Sequence, residues 1–204
     1  MTKFGSVLLV GLCLLVSNAQ SQVLKTYYES GNLKSEITYK KGKKNGIEKY
    51  YWSTGRIQST YTYRANVPVG IGQGFHEYGG LASQTPYIKG KKNGLRKEFY
   101  PGGQLETVTP FKDDNENGTI LSYYKSGNLY KELSYVNGKR NGDFRFYYEA
   151  GSLEYLKRFK DGKQVGSEKK FYETGELEQE TYEKPDPDGI IGKSFYKTGK
   201  LKAR

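Results

Sequence analysis

The sequence predicts an all-β fold, an elongated antiparallel meander of tandem 24-residue β-hairpin repeats in about eight copies, the last one partial. Three observations predict it. Two aromatics, two variable residues, a glycine, a variable residue and an aliphatic residue recur with an unbroken 24-residue period. Between turn signals the chain alternates apolar and polar residues, the period of a strand with one buried face. The composition, with 20 Tyr and 26 Gly but one Met, suits strands and tight turns rather than helices.

The first element of each unit is a hairpin turn. Its marker glycines are Gly31, Gly55, Gly79, Gly103, Gly127, Gly151, Gly175 and Gly199. Two residues later stands Leu33, Ile57, Leu81, Leu105, Leu129, Leu153, Leu177 or Leu201. In Tyr28-Glu29-Ser30-Gly31-Asn32 the glycine occupies the place where a three-residue loop, a type I turn closing in a bulge, needs positive φ. That register sets Tyr27 across from Leu33 and turns Tyr28 the other way. The substitutions fit this division. The first aromatic slot holds Tyr27, Tyr51, Phe75, Phe99, Tyr123, Tyr147, Phe171 and Phe195, and its tolerance of Phe suits a core position. The second holds Tyr28, Trp52, His76, Tyr100, Tyr124, Tyr148, Tyr172 and Tyr196, and never Phe. A ring that always keeps a polar handle is expected to be half wet.

The strand after the turn comes next. Leu33, Ile37 and Tyr39 alternate with Lys34, Glu36 and Thr38, and Leu129, Leu133 and Tyr135 repeat the pattern. Eight residues after the marker stands Tyr39, Tyr63, Tyr87, Phe111, Tyr135 or Phe159. Fifteen residues after it comes a second glycine, Gly46, Gly70, Gly94, Gly118, Gly142 or Gly166, read as the second turn, with Lys43-Lys44, Lys91-Lys92 and Lys139-Arg140 at its tips. The seventh unit departs: Tyr182 and Gly189 arrive one residue early around Pro185-Asp186-Pro187-Asp188, and Phe195 restores the phase. Fifteen or so strands spaced about 4.8 Å apart would make a sheet roughly 70 Å long whose core is a stripe. The last hairpin, with Lys197, Lys200, Lys202 and Arg204, would guard its edge by charge.

The first residues read differently. Lys3, the apolar run Val7–Val16 and the small residues Ser17-Asn18-Ala19 have the form of a secretory signal, which divides the chain into a signal peptide at 1–19 and one repeat domain at 20–204, with cleavage near Ala19–Gln20. Leu12 before Cys13 does not match a lipoprotein signal. No later run is long and apolar enough for a membrane-spanning helix. The expected location is therefore secreted, periplasmic or at the cell surface. Cys13 is the one cysteine, so the exported part folds without disulfides. The net charge is +11, of which Lys3 supplies one, so a basic surface of +10 remains.

Tyr-Tyr-x-x-Gly-x-Leu followed by Tyr-x-x-Gly-Lys-x-x-Gly, clearest from Tyr27 to Gly46 and from Tyr123 to Gly142, resembles the MORN-repeat variant found in tandem in bacterial proteins labelled YwqK-type antitoxins. The resemblance covers nearly all of the chain after the signal. It implies an elongated antiparallel β repeat with protein or lipid contacts.

Residues for catalysis are scarce. His76, the one histidine, fills the second aromatic slot as a structural substitute. Glu178 and Glu180 share one strand face as solvated positions. Asp113-Asp114-Asn115-Glu116-Asn117-Gly118 looks like the start of a calcium loop, but Tyr124 stands where the bidentate Glu belongs, and the segment reads as the second turn of unit four. The chain is therefore expected to be no enzyme and to need no cofactor or metal. The expected function is a binding or scaffolding module, the alternative an antitoxin-like or immunity protein neutralising a toxin. A protein partner comes first, an anionic glycan or lipid headgroup next, and export disfavours nucleic acid. The expected binding face is the second aromatic slot: Tyr28, Trp52, His76, Tyr100, Tyr124, Tyr148, Tyr172 and Tyr196.

Overall fold

A computed structural model describes residues 21–182 and 191–202. The signal-like segment at 1–19, most of the aberrant turn of unit seven and Arg204 lie outside them. The strands are β1 (Ser21–Tyr27), β2 (Leu33–Lys40), β3 (Lys43–Tyr51), β4 (Ile57–Arg64), β5 (Val67–Phe75) and β6 (Leu81–Ile88). They continue as β7 (Lys91–Lys92), β8 (Gly94–Phe99), β9 (Leu105–Lys112), β10 (Asn115–Glu116), β11 (Gly118–Tyr123) and β12 (Leu129–Val136). The series ends with β13 (Lys139–Tyr147), β14 (Leu153–Lys160), β15 (Lys163–Gln164), β16 (Ser167–Phe171), β17 (Leu177–Tyr182) and β18 (Gly192–Ser194). All eighteen belong to one sheet, and the pairings are antiparallel between sequence neighbours. Because β7, β10 and β15 are short pieces of the passes that resume as β8, β11 and β16, the eighteen strands make fifteen passes.

The first turn forms as the sequence predicts. Tyr28 accepts a hydrogen bond from the Gly31 amide at 2.9 Å and donates its own amide to Asn32 at 2.9 Å. All eight marker glycines have positive φ, from 75° to 105°. Tyr27 faces Leu33 across this turn, and the pairing recurs down to Phe195 and Leu201.

The second turn lies elsewhere than predicted. It is a two-residue loop four residues earlier in the chain, at Lys41-Gly42, Ala65-Asn66, Lys89-Gly90, Asp113-Asp114, Asn137-Gly138 and Asp161-Gly162. Both residues of each pair have positive φ, the type I′ geometry whose twist matches the flanking strands. The Lys43-Lys44 and Lys139-Arg140 pairs begin the returning strands, and Lys91-Lys92 forms β7. The second glycine sits inside the return at a bulge. Ile37 pairs with Glu48 and Tyr39 with Lys44, so three residues, Asn45 to Ile47, oppose Thr38 alone. At Gly118 a side chain would meet Pro110 Cγ at 2.9 Å, so that bulge closes only over a glycine.

Burial divides the sheet into two faces. Ile37 pairs with Glu48, and Glu48 with Tyr61, so these residues share a face with Ser35 and Tyr39. The buried side chains, Ser35, Glu48, Thr85, Thr109, Ile120, Ser122, Phe144 and Phe159, all fall on it by the same alternation. We call it the inner face. The core is a stripe on a single layer, as the repeat predicts.

The first aromatic slot is not that core. Tyr51 reaches Glu36 at 3.3 Å and Tyr147 reaches Glu132 at 2.9 Å, and Glu36 is paired with Lys49 on the opposite, outer face. Tyr27 is 59% exposed, and the other seven of the slot are half-buried. A register shift next to each turn, between Tyr50 and Tyr51 for example, makes two residues face one, so lying across from a leucine no longer means sharing the face of Ile37.

Candidate functional site

The second aromatic slot forms a ladder along one edge of the sheet. Tyr28 Oη donates to the Tyr51 carbonyl at 2.6 Å, Tyr100 to Tyr123 at 2.8 Å, Tyr124 to Tyr147 at 2.7 Å, Tyr148 to Phe171 at 2.8 Å and Tyr172 to Phe195 at 2.9 Å. Each rung joins a ring to the backbone of the next unit. His76 makes the same rung, its Nε2 standing 2.9 Å from the Phe99 carbonyl. A carbonyl only accepts, so Nε2 carries the proton. Phe can supply no such donor, which explains its absence from the slot. Trp52 breaks the series: its Nε1 is buried without a hydrogen-bond partner. Tyr196 is 54% exposed. The polar handles therefore serve the frame, and the rings offer half-buried faces, with Lys34 5.6 Å from the Tyr28 centroid and Lys125 5.9 Å from that of Tyr100.

The opposite edge is laced too. The Gly138 amide donates to Glu116 and the Gly162 amide to Arg140, both at 2.8 Å. Where the turn carries Asn66 or Asp114 the bond is returned, since Asn66 Oδ1 accepts from the Lys44 amide at 2.7 Å and Asp114 Oδ1 from the Lys92 amide at 2.8 Å. This assigns the acidic turn to inter-unit bonding.

A family model described as MORN repeat variant matches residues 23–41, 44–65, 92–113, 116–137, 140–161 and 164–183, together more than half of the chain. The chain belongs to the MORN-repeat variant family. No curated protein matches it. The span the family model leaves between 65 and 92 runs from the second half of unit two into unit three; there Gly72 and Gly74 dilute the pattern, yet β5 and β6 keep the MORN hairpin intact.

With the MORN frame identified, the positions that depart from it stand out. Seventeen residues after the marker, on the inner face, the chain carries Glu48, Gly72, Arg96, Ile120, Phe144 and Glu168, and two residues further Tyr50, Gly74, Glu98, Ser122, Phe146 and Lys170. Only the fifth unit is aromatic at both without a hydroxyl. There Phe144 packs between Phe159 at 4.6 Å and Tyr135 at 5.4 Å, while Phe146 meets Tyr130 and Tyr155, both at 6.1 Å. Tyr124 joins through Tyr130 at 5.0 Å. These rings border an open groove of about 500 Å³, edged by Arg140, Lys157 and Glu154. The Arg140 guanidinium lies 4.5 Å from the Phe159 centroid, and Lys157 is 5.1 Å from that of Tyr155. Constancy between units marks the second slot and not Phe144, Phe146 or Tyr155. Their signal was divergence between units on the buried side of the strands.

Among the described residues no group of three or more His, Cys, Asp or Glu is placed to hold a metal ion, and no helix is long and apolar enough to cross a membrane. The most buried carboxylate among the described residues, Glu48, accepts from Lys44 at 2.5 Å and Tyr50 at 3.0 Å. Asp143 is held by Arg158 at 2.6 Å and by Arg145. The Arg158 bond ties β14 to β13 through Asp143, whereas the bonds to Glu48 lie within β3.

Proposed function

We propose that this chain is an exported, non-enzymatic scaffold that binds a protein partner through the aromatic groove of its fifth and sixth units. The observation that carries the reading is the convergence of Tyr130, Phe144, Phe146, Tyr155 and Phe159 on one open groove, built where the fifth unit alone sets phenylalanine at both inner-face positions of its returning strand. The half-buried rings of Tyr130, Phe146 and Tyr155, beside cations and in contact with buried aromatics, have the composition of interface hot spots, because they bring large contact area at small conformational cost. Arg140 biases the groove toward a segment carrying a carboxylate, while Lys157 is paired with Glu168 at 2.8 Å. The signal-like segment supports export to the envelope or beyond.

A photo-crosslinking residue at Phe146, in chain expressed in its own host, tests this. A discrete protein adduct that disappears with Tyr155→Ser supports it, and adducts unaffected by that change count against it. Mass spectrometry of the exported protein checks the processing, with an N-terminus at Gln20 expected.

A further inference from the structure

The outer face of the first units has a different chemistry. Ile47, Ile71 and Leu95 recur at 24-residue spacing and are 51%, 56% and 54% exposed. Directly across from them stand Thr62, Pro86 and Pro110. The result is an apolar stripe across the strands, interrupted by the hydroxyl of Thr62. From unit four onward the same column reads Thr119, Asp143 and Ser167, so the stripe ends there. Lys49 and Lys97 border it on one side, two residues along their strands, and Arg64 on the other. Soluble proteins seldom leave aliphatic side chains contiguous and half exposed without use.

We infer that this stripe is a second docking surface, separate from the aromatic groove, and that it receives an acidic amphipathic helix of a partner protein. Three considerations select that occupant. The face of a sheet has no free backbone groups, because the strands spend theirs on each other, so what lies flat on it must satisfy its own backbone hydrogen bonds, and a helix does. The spacing fits: one unit is two strands, about 9.6 Å of sheet, and seven residues of helix rise about 10.5 Å, so apolar side chains one heptad apart fall close to successive rows. The charge fits as well. Lys49, Lys97 and Arg64 on the flanks suit carboxylates beside the apolar face of the helix and disfavour a second copy of this equally basic stripe.

The test uses the exported chain and three synthetic peptides: a helix with leucines about every seven residues flanked by glutamates, the same helix flanked by lysines, and a scramble of the acidic one. The acidic helix is expected to bind, more weakly as salt rises, and Ile71→Asp to reduce its affinity about tenfold or more. Ile71 is exposed, so the variant should keep its strand signal in circular dichroism. Phe146→Ser should leave this binding unchanged, which separates the stripe from the groove. Equal binding of the scramble or of the lysine-flanked helix overturns the inference, as does indifference to Ile71→Asp. It is equally overturned if that substitution abolishes only binding to phosphatidylserine vesicles or only self-association in sedimentation.

Discussion

At the scale of single residues, the inner face hides polar chemistry that the frame uses. Glu48 lies at 2% exposure with Lys44 and Tyr50 bonded to it, and Tyr63 beside it has its phenol pushed up to about 12 by burial first and by the Glu48 charge second. Tyr50, Tyr87, Tyr135 and Tyr147 are raised from 10.0 in the same direction, with burial as the largest cause of each. A phenol held neutral in the fold contributes stability that is complete below its unfolded value and is lost as pH rises through its folded value. Tyr63 therefore contributes stability that fades between pH 10 and about 12. Tyr63→Phe is expected to flatten the alkaline loss of stability across that window in urea titrations and to remove the last phenolate step in absorbance at high pH. Asp143 acts at the other end of the scale. The hydrogen bond from Arg158, aided by the charge of Arg145, holds its carboxyl below 3.8, so its contribution is present above that pH and is lost as pH falls through the lowered value. Glu48→Ala would strand Lys44 and Tyr50, at a cost of about 2 kcal/mol in chemical denaturation.

At the scale of elements, the hairpin and its first turn were legible because glycine, aromatic and aliphatic residues recur in phase. The contrast between the two aromatic slots was legible as well, but its meaning was not. The hydroxyls of Tyr28, Tyr100, Tyr124, Tyr148 and Tyr172 are kept for a carbonyl one unit on, a partner 23 residues away that only strand pairing brings near. The second turn was misread because its positive φ is met by Lys41, Ala65 and Asp113 as well as by glycine, while the constant glycine belongs to a bulge. These rungs set an expectation for each strand junction. Tyr124→Phe should cost about 1 kcal/mol by removing one neutral hydrogen bond. Tyr196→Phe should be close to neutral, since no rung joins Tyr196 to another unit among the described residues. Trp52→Tyr would restore the missing rung to the Phe75 carbonyl, and thermal melts of the three variants should rank them in that order, Trp52→Tyr the most stable.

At the scale of the whole molecule, the sheet has no ball-shaped core, and each unit is held by its neighbours. Removing residues 56–79, one full period, should leave a folded protein two strands shorter with a lower denaturation midpoint, whereas removing half a period should abolish the cooperative transition. Circular dichroism during urea unfolding distinguishes the two. The apolar surface changes sides along the sheet, aliphatic on the outer face from Ile47 to Leu95 and aromatic on the inner face from Tyr130 to Phe159. The sequence repeat could not reveal that reversal, because it arises from residues that differ between units. The rungs that begin at the second aromatic slot all span the same interval, from one unit to the next. Any unit can therefore follow one that carries the donor, as one brick fits another whatever its colour. A gene built this way can lengthen, shorten or reorder its binding surfaces by duplicating or exchanging whole periods, and the joints will close without a single compensating mutation.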